Sequence, residues 1–386
     1  MAIFYCFILG LYEQRTKGIC MTSEQRHAAR RKRREEKRRQ KKAEFMSDYD
    51  DFDKVFTFDH LYKSYEKCRR SVSWKSSVQN YITQAPLKVN NTLKELREGK
   101  FRTDGFYEFD IYERGKIRHI KSVTMRERVV QRCLCDYALT PVLSRTFIYD
   151  NGASLPDKGY HFSINRIQEH LREYGRDGYI LLFDFSQFFD SIPHDLVKGI
   201  IRNEFTDERI IELCDHFVDV FGDVGLGLGS QISQILALAA VNRLDHFIKE
   251  HFRIRGYGRY MDDGYLIHKD KEYLKYCLKE IKALCSELGI VLNPKKTQIV
   301  KISHGFTWLK CRFIVTDSGK VIKKICKNSV TRERRKIKKL SAMQQKGIVS
   351  IEDVTASYQS WRGYASHFDA YRTIQNMDKL FKEEFL

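Results

Sequence analysis

The run Arg259-Tyr260-Met261-Asp262-Asp263-Gly264-Tyr265-Leu266-Ile267 restricts the fold of this chain more than any other stretch. Two adjacent carboxylates stand between an aromatic residue and a glycine, and apolar residues resume on the far side. That pattern predicts a β-hairpin whose tight loop carries both aspartates. Like charges side by side raise each other's pKa and oppose folding unless a cation shares the site. Oxygen-only ligands make that cation magnesium or manganese.

A third carboxylate lies upstream, in Tyr179-Ile180-Leu181-Leu182-Phe183-Asp184. The apolar run predicts a buried central strand with the acid at its end. A lone strand-end or turn aspartate is usually just solvated. Both elements in one chain, in this order, instead predict a two-metal phosphoryl-transfer centre on Asp184, Asp262 and Asp263. Such a centre, with ions ~4 Å apart, activates an attacking 3′-hydroxyl and steadies a leaving pyrophosphate.

The bulk properties agree. A chain of 386 residues can bury a substantial core in two or three subdomains, and 13% aromatic content argues against disorder. The net charge of +19 points to a polyanion, nucleic acid before membrane surface. Ten cysteines include no Cys-x-x-Cys pair, so reduced thiols in a cytoplasmic protein fit better than disulfides or zinc.

Ala2 to Tyr12 is apolar but too short to span a bilayer, and it lacks the flanks of a signal peptide. Met21 precedes Thr22 and Gln25 at capping-box spacing, so translation is expected to start at Met21. Arg26 to Lys42 holds eleven Lys or Arg against two Glu, an excess of nine positive charges. It reads as a charged helix or a disordered tail that binds phosphates. Asp48-Tyr49-Asp50-Asp51 reads as a linker. Tyr62, Tyr65, Lys67, Arg69, Arg70, Trp74 and Lys75 interleave aromatics with cations, as an RNA-binding face does, although core positions account for part of such a set.

Lys116-Ile117-Arg118-His119-Ile120 alternates as a strand whose cations could hold a triphosphate. Ile164, Ile167, Leu171 and Tyr174 mark a helix face, and Ser191-Ile192-Pro193-His194 opens another helix. The glycine-rich stretch from Gly225 to Gln234 feeds an apolar helix to about Phe252. Its glycines allow close backbone approach to a template base or nucleotide. It is not a P-loop, because no Gly-Lys-Ser/Thr follows. Leu274 to Leu288 repeats at helical spacing and Gly289 closes that helix. A strand at Ile290-Val291-Leu292 is then expected to return the chain to the sheet, followed by a turn at Asn293-Pro294-Lys295-Lys296-Thr297 whose lysine could protonate pyrophosphate. The C-terminal ~55 residues read as a small basic helical bundle suited to gripping a duplex.

With these blocks assembled, the chain resembles bacterial reverse transcriptases of the group II intron, retron and diversity-generating lineage from about Lys116 to Phe313. The motifs that carry the resemblance are Lys116-Ile117-Arg118, Arg126-Glu127-Arg128-Val129-Val130-Gln131, the Asp184 block, Gly229 to Ser233, Tyr260-Met261-Asp262-Asp263, and Asn293 to Thr297. It implies an α+β right-hand polymerase with fingers, a ferredoxin-like palm and an α-helical thumb. The expected divisions are an N-terminal extension with its basic arm over 1–45, an N-terminal region and fingers over 46–178, palm over 179–327 and thumb over 328–386. By motif, Asp184, Asp262, Asp263 and the Phe185 carbonyl become metal ligands for two Mg²⁺ ions, with Mn²⁺ as the alternative. Phe189 becomes the steric gate that selects dNTPs, Lys116 and Arg118 the triphosphate cations, and Lys296 the general acid.

Leu228 and Gln234 stand where intron enzymes carry Gln and Pro, which makes the Leu228-Gly229 loop similar to that of diversity-generating or phage-defence enzymes. Gln234 joins the nucleotide-binding set, and Leu228 and Gly229 form the template or fidelity loop. Trp308-Leu309-Lys310 replaces the usual Phe-Leu-Gly primer-grip block. The stretch after residue 330 is expected to be too short for an RNase H domain, and the sequence carries no Cys-x-x-Cys endonuclease module. The implied activity is RNA-directed DNA synthesis on a structured RNA template, from a DNA or RNA primer, with dNTPs, a possible accessory protein and no membrane. Diversity generation, phage defence and mobile-element copying stay open as settings. An RNA-dependent RNA polymerase and a catalytically idle RNA-binding relative are the competing readings.

Overall fold

The computed structural model describes residues 22–113 and 116–385, except the side chains of Glu113, Lys116 and Arg118. Met21 and the apolar segment before it lie outside the described residues. The capping box forms as its spacing predicts: Thr22 N–H donates to Gln25 Oε1 at 2.9 Å, and Gln25 N–H donates to Thr22 Oγ1 at 3.2 Å. It starts a helix over Ser23–Tyr49, so the basic arm is helical and not a tail. No residue of this helix is buried, and only its C-terminal end docks, through partly buried Phe45, Met46 and Tyr49.

The acidic stretch is not a linker. Asp50 accepts hydrogen bonds from the backbone N–H groups of Thr206 and Asp207, and Asp207 Oδ2 in turn accepts from Phe52 N–H at 2.8 Å. Asp51 caps the Phe52–Val55 helix. These carboxylates satisfy amide donors at helix starts, which is what short acidic side chains do best.

Four helices, Phe58–Arg69, Ser76–Ile82, Ala85–Arg97 and Met125–Leu134, pack beside the main core. Tyr65 belongs to that core, whereas Trp74 is 73% exposed. An antiparallel hairpin of β1 (Tyr107–Glu113) and β2 (Lys116–Ser122) stands between the third and fourth of these helices in the chain. The alternation read from the sequence is therefore a strand, and the backbones of Lys116 and Arg118 lie on it.

The central sheet contains β3 (Tyr179–Phe183), β4 (Tyr257–Tyr260), β5 (Asp263–His268) and β6 (Gln298–Lys301). Its spatial order is β4-β5-β3-β6, all antiparallel, with the Lys271–Glu287 helix between β5 and β6 in the chain. That is the order of a ferredoxin-like β-α-β-β-α-β unit. Both faces of β3 are covered: Leu181 and Phe183 join one core cluster, Ile180 and Leu182 the other. A strand buried on both faces has no polar alternation, hence the unbroken apolar run.

The expected strand Ile290–Leu292 is not one. Leu292 makes a single antiparallel bridge to Phe185, just past the end of β3, and the sheet strand is β6, beyond the Asn293–Thr297 turn. β3 is already paired on both edges by β5 and β6, so the 290–292 segment can only cross its tip. The apolar helix expected to run to Phe252 is divided into Gln231–Ala240, Asn242–His246 and a π-helical turn at Phe247–His251.

A second sheet, β7 (Phe306–Trp308), β8 (Cys311–Val315) and β9 (Val321–Ile325), was not foreseen from the sequence. Three helices follow, Lys327–Gln345, Ile351–Ala365 and Tyr371–Phe385, and share a core with this sheet. The eight cysteines among the described residues are free thiols. Among the described residues no helix is long and apolar enough to cross a membrane.

Candidate active site

β3 delivers Asp184 to a nearly enclosed position, 2% exposed, where its backbone carbonyl accepts Asn293 N–H at 2.7 Å. Its Oδ2 accepts from Lys296 Nζ at 2.5 Å. The hairpin arrives alongside. Tyr260 pairs with Asp263 across a two-residue turn, Met261-Asp262, and Met261 adopts φ +53°. Gly264 pairs with Phe183, whose ring would lie 2.1 Å from any Cβ placed there. Glycine after the acidic pair is thus required by the strand that carries Asp184.

The three carboxylates interact. Burial, then the charges of Asp262 and Asp184, push the Asp263 carboxyl up to about 7, against a lowering pull from Lys296. Burial opposes the charge on Lys296, but the hydrogen bond and charge of Asp184, with Asp263 and Asp262 behind it, hold its pKa above the ordinary lysine value. One ammonium is too little positive charge for three acids.

The donor chemistry fits a hard divalent cation, since Asp184, Asp262 and Asp263 offer only carboxylate oxygens. Among the described residues no three His, Cys, Asp or Glu side chains already stand as a coordination group. The acids are gathered without forming a finished cage.

They open into a cleft of about 1220 Å³ that also takes in Phe189, Lys296 and the Trp308-Leu309-Lys310 turn. The Ile351–Ala365 helix of the C-terminal bundle lines its other side through Trp361 and Tyr364, which sequence reading did not single out. Phe185 is buried, 2% exposed. It is the non-hydrogen-bonded partner of Leu292, because the flanking bonds are Ser186 N–H to Val291 O and Asn293 N–H to Asp184 O. Its own carbonyl therefore points away from that segment.

The other expected residues lie elsewhere. Gln234 Oε1 accepts from Ser154 Oγ at 3.0 Å, outside the residues that line the cleft. Gly229 sits against β2, with a Cβ there 3.7 Å from the Lys121 carbonyl, so the Leu228-Gly229 loop abuts the hairpin and not the carboxylates. The side chains of Lys116 and Arg118 lie outside the described residues. Sequence reasoning also passed over Arg259, which is fully buried and paired with Asp245, although its place two residues before the acidic turn was the available signal.

A ferredoxin-order sheet with an acid at one strand end and two on the adjacent hairpin, backed by a helical bundle across a cleft, is the architecture of the right-hand polymerase fold. Residues 108–314 match the family described as "Reverse transcriptase (RNA-dependent DNA polymerase)". That is more than half of the chain, which therefore belongs to this family. It is 24% identical over 245 residues to "Protein YkfC" of Escherichia coli (strain K12), covering 52% of this chain. It spans 64% of the length of that protein. Among solved structures it is similar to an apo telomerase from Candida tropicalis, at 16% identity and a TM-score of 0.42, over 57% of this chain and 55% of that one.

Proposed function

We propose that this chain is an RNA-directed DNA polymerase that adds dNTPs to a primer 3′-OH, with Asp184, Asp262 and Asp263 holding two divalent ions. The observation that carries this reading is the convergence of Asp184 and Asp263 from separate strands into one cleft, with Asp263 held proton-hungry by burial and its acidic neighbours. Two Mg²⁺ ions, or Mn²⁺ in their place, supply Lewis-acid stabilisation of the attacking and leaving oxygens when bound.

The chain's own groups supply the rest. Lys296 keeps its proton beside Asp184 and is placed to give it to the departing pyrophosphate. Phe189 presents its ring to the cleft, where it crowds a ribose 2′-hydroxyl. Phe185 offers its carbonyl to a metal. Lys116 and Arg118, whose backbones lie on β2, are the residues this reading assigns to the triphosphate, and Leu228 and Gly229 those it assigns to the template; Gln234, bonded to Ser154 outside the cleft, is not assigned to the nucleotide.

In this reading residues 1–45 form the extension with its basic arm, 46–178 the N-terminal region and fingers, 179–327 the palm and 328–386 the thumb. The partners in this reading are a structured RNA template and a DNA or RNA primer, in the cytoplasm, with room for an accessory protein. The Leu228-Gly229 and Gln234 pattern favours diversity generation or phage defence as the setting.

The test is primer extension on an RNA template by purified protein. Wild-type protein is expected to incorporate dNTPs with Mg²⁺ or Mn²⁺, and Asp263→Asn to lose at least ~100-fold in kcat. Absence of dNTP addition under every ion and template tried would sink the reading and leave the idle RNA-binding relative in its place. Equal use of rNTPs would favour the RNA polymerase instead.

A further inference from the structure

Arg259 is 0% exposed, and so is Asp245 on the Asn242–His246 helix. The guanidinium grips that carboxylate with two bonds, Nε to Oδ1 at 2.8 Å and Nη2 to Oδ2 at 2.6 Å. Strand alternation puts Tyr257 on the same face of β4, and its hydroxyl also donates to Asp245. A wholly buried ion pair is an expensive way to stabilise a fold. Its remaining bonds suggest what it is for.

Arg259 Nη1 donates to the Met261 carbonyl at 2.9 Å. Met261 is the first loop residue of the catalytic hairpin, and its positive φ belongs to a turn that normally places glycine there. The side chains on either side of that turn therefore depend on a backbone conformation that methionine does not favour. Nη2 also reaches the Leu238 carbonyl at 3.3 Å, in the last turn of the Gln231–Ala240 helix, where carbonyls have no intrahelical donor. From the outer edge, Arg259 N–H donates to the Asp150 carbonyl at 3.1 Å and Gly152 N–H to the Arg259 carbonyl at 3.0 Å. The residue is pinned through both its backbone and its side chain.

We propose that Arg259, clamped by Asp245, is a positioning residue that fixes the Met261-Asp262 turn so that Asp262 and Asp263 are held beside Asp184 within reach of a shared cation, and that ties this turn to the helix leaving the glycine-rich loop. It is not a catalytic residue, because a fully buried guanidinium touches no substrate. The proposal rests on the polymerase reading for its kinetic consequence, but not for its metal-binding one.

The experiment compares wild type, Arg259→Lys and Arg259→Lys with Met261→Gly. Three quantities are read: Mn²⁺ binding to the free protein by electron paramagnetic resonance, the kcat and KM for dNTP, and the thermal midpoint. Lysine keeps the charge but loses the fork. Arg259→Lys is expected to weaken Mn²⁺ binding about 10-fold and to lower kcat by ~10- to 100-fold, with the dNTP KM changed less than about 3-fold. Met261→Gly, which accepts positive φ freely, is expected to restore about 5-fold of the lost Mn²⁺ affinity. A merely structural role would lower the midpoint and leave metal affinity and kcat per folded molecule within about 2-fold of wild type, which would overturn the proposal.

If Arg259→Lys does not fold, Tyr257→Phe removes one donor from Asp245, and a Mn²⁺ affinity reduced about 3-fold supports the clamp while an unchanged one overturns it. An inactive wild type whose Mn²⁺ binding still falls in Arg259→Lys removes the polymerase reading and supports the positioning role. A wild type that binds no Mn²⁺ overturns both.

Discussion

Phe189 follows Asp184 by five residues, and the short Phe188–Ser191 helix turns its half-buried ring into the same cleft as the acids. Its ring packs edge-on against Phe188, with centroids 5.5 Å apart, which fixes its position from behind. A gate of this kind works by steric exclusion, so shortening it should relax choice of sugar without abolishing chemistry. Phe189→Val is expected to raise rNTP incorporation relative to dNTP by ~10-fold or more, within the few kcal/mol that one lost contact surface supplies. Competition assays with mixed nucleotides measure the ratio, and no change would remove Phe189 from sugar selection.

Among elements, the Ser23–Tyr49 helix is the least explained by folding energetics. At 3.6 residues per turn, Arg26, Arg30, Arg33, Arg34, Lys37 and Lys41 share one face while Glu35 and Glu36 fall outside it. All six cations are exposed, and the body of the protein engages only the helix end, where Lys42 meets Glu204 at 3.1 Å and the Arg145 guanidinium lies 3.8 Å from the Phe45 ring centroid. Arg31, Lys32, Arg38, Arg39 and Lys42 carry the positive charge round the other sides, and a helix this cationic with no packing duty suits a phosphate backbone. Replacing Arg26, Arg30, Arg34 and Lys37 by Gln is expected to weaken RNA binding for every sequence alike. It should also flatten the dependence of log K on log salt by roughly 3, the loss of four phosphate contacts. A salt slope equal to wild type, measured by filter binding across KCl concentrations, would show that these cations touch no phosphate.

For the whole molecule, buried ionisable groups decide how stability varies with pH. His170 is buried with its Nδ1 2.9 Å from the Tyr265 hydroxyl, while Asp150, Lys249 and Arg166 surround it. Burial lowers its pKa to about 4, against a raising pull from Asp150, and Lys249 and Arg166 add to the lowering. The unfolded chain takes up this proton below about 6.5, whereas the folded chain does so only near 4. Stability from this group is therefore whole above about pH 6.5 and is lost as pH falls through that window, by on the order of 3 kcal/mol. Glu127 has the opposite sign: burial pushes its carboxyl up to about 7, against the hydrogen bond it accepts from Asp104 N–H, so its share is lost as pH rises from about 4.5 to 7. His170→Gln is expected to flatten the acid side of the curve in urea denaturation at pH 7, 6 and 5. A loss between pH 7 and 5 as steep as wild type would assign the acid limb to other groups.

At this scale the sequence and the structure also divide their contributions. Local patterns settled the Thr22 cap, the strand ending at Asp184, the hairpin around Asp262 and Asp263, and the helices around Ile164, after Pro193 and from Leu274 to Leu288, because periodicity and end-capping act over a few neighbouring residues. Tertiary structure alone decided that Lys296 lands on Asp184, 112 residues away, and that Asp50 caps Thr206 and Asp207 across a gap of more than 150 residues. It also chose Gln298–Lys301 over Ile290–Leu292 as the edge strand and buried Arg259 against Asp245. Those outcomes depend on which surfaces meet once the sheet is closed, and no short-range pattern of apolar and charged residues encodes them.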